Sequence, residues 1–194
     1  KISICITTYK RELELMNLIK KINLLETKNI NPKNIDIIIV DNDKDRTIEK
    51  TIKEIKKKSK YKMHYFCEEK KGTPYARNKA VEEALKSKAD FIAFIDDDEF
   101  ATEYWIDNLL ENAIKNRAEV VGGEVVYIVP KSSPEYIKNF EFYAEKKAKF
   151  YKDSQKVSSA STNNVLIDTK ILRNGLRFDT RLFEAGGSDR LFFY

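Results

Sequence analysis

Sulfur is scarce in this chain: Cys5 and Cys67 are its two cysteines, each inside an apolar, strand-like run. A disulfide scaffold or a zinc site needs more thiols at motif spacing, so both are read as buried core residues. The single histidine, His64, lies between Met63 and Tyr65 in a strand pattern and is read as structural. No apolar stretch approaches the roughly 18 residues of a membrane span, and no signal-peptide pattern is visible; the expected location is cytoplasmic. Neither G-x-x-x-x-G-K-[ST] nor G-x-G-x-x-G occurs, which removes the main support for a P-loop or a dinucleotide site. There is no internal repeat and no low-complexity tract. Basic residues crowd together only in "KEIKKKSKYK" (53–62). Without a recognisable binding module, that run reads as the solvated end of a helix and not as a nucleic-acid surface.

What is present suits one globular domain. The 194 residues are 42% hydrophobic, enough for a sizeable core, and 35% charged with a net charge of only +5. That mild basic bias is compatible with phosphorylated substrates or an anionic membrane surface and diagnostic of neither. The chain opens at Lys1 and stops at "LFFY" inside a helical pattern, so a portion of something longer is expected.

Strand and helix patterns alternate from the start. "ISICIT" (2–7) is β-rich, and the helix at 11–26 places Leu15, Leu18, Ile19 and Ile22 on one face. "IDIIIVDND" (35–43), a charged helix at 46–58 and "YKMHYFCEE" (61–69) follow. "GTPYARNKAVEEALKS" (72–87) reads as a helix capped by Thr73 with Pro74 at its first position and Val81, Ala84 and Leu85 inward. "ADFIAFIDDD" is the next strand, followed by a helix at 102–116 capped by Thr102. The order predicts an α/β fold: a Rossmann-like, mostly parallel sheet with helices on both faces. The later half is less regular. It holds a long strand at 118–130 bent at Gly122-Gly123, an aromatic helix at 134–151, a polar mobile loop at 152–163, the strand "NVLID" and a helix after "GGSD".

The chemistry concentrates at strand ends. "TTYKR" follows the first strand, "DND" (41–43) the second, and "DDDE" (96–99) the fourth. In open α/β sheets ligands bind beyond the carboxyl ends of the strands. Asp and Asn also favour plain turns, but three polar clusters on one edge suit a nucleotide site. Adjacent carboxylates repel and raise one another's pKa. A cation carrying phosphates resolves that repulsion, and Mg²⁺ or Mn²⁺ held by one or two carboxylates is the expected form.

Taken together, "ISICITTYKR", "IIIVDND", "GTPYARNKAVEEA", "FIAFIDDDE" and "GGSDRLFF" resemble the family 2 inverting glycosyltransferases of the GT-A fold. The bacterial enzymes that build surface polysaccharides, the succinoglycan-type glucosyltransferases, are the nearest likeness. The resemblance covers nearly the whole chain as a single domain, with a nucleotide-sugar half at about 1–100 and an acceptor half at about 101–194. It implies that Thr7, Thr8 and Tyr9 line the nucleoside pocket, Tyr9 near the base, and that Asp41 and Asn42 bond base or ribose. Asp96, Asp97 and Asp98 form a D-x-D element, with Asp96 toward ribose or sugar and Asp98 as metal ligand for Mn²⁺ or Mg²⁺. Arg77 is placed either on a sugar or phosphate or in a surface ion pair.

Inversion at an anomeric carbon needs a general base opposite the leaving diphosphate. Asp189, in the first turn of a helix capped by Ser188, is expected to be that base. The family commonly has Glu-Asp there, and Ser188 takes the first place, which bears on acceptor chemistry; Glu184 is the nearby substitute. Asn163 and Asn164 would bind donor or acceptor hydroxyls or act as ordinary turn residues, and Trp105 is favoured as a core residue over a sugar platform. The implied partners are a nucleotide-sugar donor, expected to be a UDP-hexose, and a saccharide or lipid-linked saccharide acceptor at the inner membrane, with no nucleic acid. The rival readings are a nucleotidyltransferase or sugar-nucleotide pyrophosphorylase, a two-carboxylate glycosidase and a catalytically silent binding domain.

Overall fold

The computed structural model describes residues 1–138, 153–183 and 186–193. Its frame is a six-stranded sheet built from β1 (Ile2–Thr8), β2 (Ile35–Asp41), β3 (Lys62–Cys67), β4 (Phe91–Ile95), β5 (Val120–Gly122) and β6 (Asn164–Asp168), in the order β3-β2-β1-β4-β6-β5. The first four strands run parallel, and β6 is antiparallel to both β4 and β5. Parallel strands need crossover helices, and α1 (Glu12–Ile22), α2 (Glu49–Lys56) and α3 (Thr73–Lys86) supply them, with α4 (Trp105–Asn116) following β4. The short α5 (Glu135–Lys138), α6 (Thr169–Arg173) and α7 (Ser188–Phe192) complete the described helices.

Strand alternation sorts the core into two layers. Ile2, Ile4 and Ile6 of β1 and Ile37 and Ile39 of β2 face α1, α2 and α4, packing on Leu15, Leu18, Ile19, Ile52, Ile106 and Leu109. Cys5, Ile38, Val40 and Phe94 face the other way, onto Ala76, Ala80, Val81 and Ala84 of α3 and onto Phe178. All seven residues of β2 are buried, as a strand covered on both faces must be. Cys5 is fully buried and both cysteines are free. Among the described residues no helix is long and apolar enough to cross a membrane.

Several local expectations change. The N-cap of α3 is Gly72, not Thr73, and that of α4 is Tyr104, not Thr102; neither residue caps through a side chain. Thr102 instead gives its carbonyl to the Trp105 amide. The strand expected over 118–130 is seen only as far as Gly122; the Gly123 amide still donates to the Asn164 carbonyl at 2.9 Å, and its missing Cβ leaves room for the Asn164 side chain. The helix expected at 134–151 is seen only as α5, and its remainder lies outside the described residues.

Gly72 is where backbone freedom is required. Its φ is +136°, and a Cβ there would meet the Phe183 Cβ at 2.7 Å. Gly72→Ala should therefore lower the unfolding free energy by about 1–3 kcal/mol; a urea midpoint equal to that of the native protein would contradict this.

Candidate active site at the carboxyl edge of the sheet

The register of the sheet determines what each acid meets. β1 pairs with β4 as far as Cys5 beside Phe94, so the same register carried three residues on sets Thr8 beside Asp97. The contact is there: the Thr8 hydroxyl donates to Asp97 Oδ2 at 2.6 Å. Beyond β4 the chain turns, with the Glu99 amide bonded to the Asp96 carbonyl at 3.2 Å. Side chains alternate along a strand, and the two sides of this edge receive different acids. Asp97 follows Ile95 toward the α1 side, where Arg11 donates to it at 3.2 Å. Asp96 follows Phe94 toward the α3 side, where Arg77 Nη2 lies 3.8 Å from its carboxylate. Asp98, at the tip, is half-exposed and accepts from Arg11 Nη1 at 2.6 Å.

These groups open onto a cleft of about 420 Å³ lined by Thr7, Thr8, Tyr9, Arg11, Asn42 and Thr73, with Ala76, Arg77 and the three aspartates closing its floor. Tyr9 presents an exposed ring flanked by the ammonium groups of Lys10 and Lys71, 5.5 and 5.7 Å from its centroid. The negative end is electrostatically loaded. Burial raises the Asp97 carboxyl, opposed by Thr8 and Arg11. Burial also raises Asp96, opposed by Arg77 and reinforced by Asp98, Asp97 and Asp189. Glu99 is pushed up to about 7, first by partial burial and then by the charge of Asp96.

Arg77 ties the far side of the cleft to this cluster. Buried in α3, it donates to Ser188 Oγ at 3.4 Å, and both Asp96 and Asp189 pull its guanidinium back up against the downward effect of burial. Ser188 is the first residue of α7, with Gly187 as N-cap, so it holds Arg77 and does not cap the helix. Asp189 accepts from Ser161 Oγ at 3.1 Å. Asp189 is thus near enough for its charge to act on both Arg77 and Asp96, although about 90 residues separate it from the D-D-D turn in the chain.

Other expected site residues stand further back. Asp41 is fully buried, taken by the Tyr65 hydroxyl at 2.8 Å and the Asp43 amide at 3.0 Å. Asn42 lines the cleft, but its amide is committed to backbone: it donates to the Glu68 and Lys70 carbonyls at 2.8 and 2.7 Å and accepts from the Gly72 amide at 2.7 Å. It holds the loop that launches α3. Asn163 joins the edge through Glu99 at 3.1 Å. Asn164 is engaged by the Trp105 indole at 2.8 Å and by the Glu124 carbonyl, and Trp105 is buried as a core residue. Glu184 lies outside the described residues. The groups that sequence reasoning left unassigned are Arg11, Glu99 and Ser161. The first two were visible inside "TTYKR" and "DDDE", while nothing local marks Ser161.

Among the described residues, no three His, Cys, Asp or Glu side chains form a ready-made metal cage. A hard divalent ion that keeps waters and phosphate oxygens needs only one or two carboxylates. Asp98, half-exposed at the cleft and already holding a cationic group, has the right donor chemistry.

A mostly parallel sheet flanked by helices, with an acidic turn at its carboxyl edge, is the GT-A fold, and solved structures share it. Staphylococcus aureus TarS, residues 1–349 in complex with UDP-GlcNAc, superposes with a TM-score of 0.74 at 16% identity over 100% of this chain and 52% of its own. The mannosyltransferase PcManGT from Pyrobaculum calidifontis, in complex with GDP-Man and Mn²⁺, gives 0.66 at 12% identity over 97% and 49%. The family model for Glycosyl transferase family 2 matches residues 3–176, and the chain belongs to that family. It is also 24% identical to the succinoglycan biosynthesis protein ExoM of Rhizobium meliloti (strain 1021), over 99% of this chain and 60% of that protein. The chain is therefore a glycosyltransferase domain that spans about half to three-fifths of these relatives. Membership decides against the nucleotidyltransferase and glycosidase readings.

Because Asn42 braces the loop before α3, Asn42→Ala should lower the unfolding free energy by about 1–3 kcal/mol, the effect of stranding buried partners. A variant with weakened nucleotide binding and unchanged stability would show that Asn42 acts on ligand alone.

Proposed function

We propose that the domain is a metal-dependent, inverting hexosyltransferase. It takes sugar from a nucleotide sugar, a UDP-hexose, and passes it to a saccharide or lipid-linked saccharide acceptor in surface polysaccharide assembly. The observation that carries this reading is that Arg77, which lines the cleft with the Asp96–Asp98 turn, reaches Ser188, and that the charge of the adjacent Asp189 acts on both Arg77 and Asp96. Supporting it are TarS, solved with UDP-GlcNAc and with UDP, and PcManGT, solved with GDP-Man and Mn²⁺. ExoM, a succinoglycan biosynthesis protein, supports the polysaccharide setting.

In this mechanism the exposed Tyr9 ring stacks on the base, and Thr7 and Thr8 border the nucleoside. Asp96 orients the ribose or sugar hydroxyls, and Arg77 keeps Asp96 and Asp189 from repelling one another. Asp98 would hold a Mn²⁺ or Mg²⁺ ion, which when bound supplies charge stabilisation for a diphosphate leaving group. Asp189 accepts the proton of the acceptor hydroxyl as that oxygen bonds to the anomeric carbon and the sugar–diphosphate bond breaks on the opposite face. Ser161 orients the Asp189 carboxylate for that transfer. Asn163, held on Glu99, stands where a sugar hydroxyl would be met. A lipid-linked acceptor brings the domain to the cytoplasmic face of the inner membrane as a peripheral visitor.

Asp189→Asn keeps the shape and removes the base. It should retain nucleotide affinity and lose about 10²–10⁴-fold in kcat, measured as acceptor-dependent release of nucleoside diphosphate. Near-native turnover would remove Asp189 from the base role. Background turnover in the native protein with intact nucleotide binding would favour the silent-domain alternative.

A further inference from the structure

Among the described residues, Arg11 is the one cation that touches two acids of the D-D-D turn, and the proposed chemistry gives it no role. It sits just ahead of α1 at the mouth of the cleft, with its side chain half-exposed. Its Nη1 donates to Asp98 Oδ2 at 2.6 Å and to Asp97 Oδ1 at 3.2 Å. Asp97 is the largest influence holding the guanidinium charged. The carboxylate that Arg11 grips most closely is the one assigned to the metal, and the guanidinium borders the space a diphosphate would fill.

From this geometry we propose that Arg11 is an exchangeable counter-cation. Without donor it neutralises Asp98 and Asp97; a divalent ion displaces it from Asp98, and the released guanidinium then serves a phosphate oxygen of the donor. The inference rests on the metal reading of Asp98. Three features support the exchange. A divalent ion on Asp98 would repel a guanidinium held 2.6 Å from the same carboxylate, which weakens the Arg11 contact. Asp97 keeps a second donor in Thr8, so losing Arg11 does not strand it. Both contacts run through a single nitrogen of a group with five N–H donors, and a bidentate match to phosphate is its favoured geometry.

Such an exchange has a signature that a structural role lacks, because the two ligands respond in opposite directions. In Arg11→Gln, Mn²⁺ without nucleotide should bind about tenfold more tightly, since its competitor is gone. UDP at saturating Mn²⁺ should bind about tenfold more weakly, since a phosphate partner is lost. Free-ion electron paramagnetic resonance reads the first quantity and calorimetry the second, with circular dichroism checking the fold. Arg11→Lys should fall between native and Gln in both. Lys10→Gln removes the neighbouring charge, which lies 3.9 Å from Asp43 and not on the turn, and should move Mn²⁺ affinity far less. Unchanged or weakened Mn²⁺ binding in Arg11→Gln overturns the proposal, as does an equal gain in Lys10→Gln or undiminished UDP affinity. If neither native protein nor Arg11→Gln takes up Mn²⁺, even with UDP present, the metal reading of Asp98 falls and the exchange falls with it. Mn²⁺ binding that is present but insensitive to Arg11 removes the exchange alone.

Discussion

The 2.6 Å hydrogen bond from Thr8 to Asp97 joins the end of β1 to the end of β4, and the chemistry of this domain depends on that junction. Three consecutive aspartates are unfavourable neighbours. Here each has a counter-group: Asp97 has Thr8 and Arg11, Asp96 has Arg77, and Asp98 has Arg11 and solvent. The division follows from strand alternation, which turns Asp96 toward the α3 layer and Asp97 toward the α1 layer. The site is thus a consequence of having helices on both faces, each delivering its own arginine to the edge.

The rigid part of the molecule explains why these contacts can be held. β1 and β2 are covered on both sides and stay in register from Ile2–Ile35 to Thr8–Asp41. The Asn42 amide bonds the Thr8 carbonyl, and the Asn42 side chain then clamps the segment leading to Gly72 and α3. Arg77 therefore inherits its position from Asn42 through one loop and a helix turn. Buried polar groups of this kind act by keeping a loop in one arrangement, and a site on such a frame is better placed than one on free loops.

Much of the fold was readable from residues alone. "ISICIT", "IDIIIV" and "FIAFI" have the composition of strands buried on both faces, and the Leu15-Leu18-Ile19-Ile22 spacing marks the inward face of α1; all of these but the partly exposed Thr7 and Phe91 are buried as expected. The acidic strand end was legible too, because carboxylates so placed need a counter-charge. The caps were not legible. Thr73 and Thr102 have capping chemistry, but Gly72 wins at α3 through a backbone φ of +136° that only tertiary contacts impose. Nor did the sequence say that Asp41 would be taken by Tyr65, 24 residues away, or that Asn164 would be taken by Trp105. The partners that hold these polar residues are distant in the chain and leave no local mark. Arg11 was passed over for the converse reason: its meaning lies 86 and 87 residues downstream, and only the β1–β4 pairing brings it there. The insertion of β6 antiparallel beside β4 carries Ser161 and Asn163 to the same edge, a placement that local pattern does not encode.

The central claim is that the acidic turn exists for a cation bearing a diphosphate. Calorimetric titration of UDP, GDP, CDP and dTDP, each with and without Mn²⁺, into the native domain and into Asp98→Ala tests it most directly. The account predicts binding of UDP that depends on Mn²⁺ and disappears in the variant. Nucleotide binding that is indifferent to both Mn²⁺ and Asp98, or no binding of any nucleotide to the native protein, would contradict it.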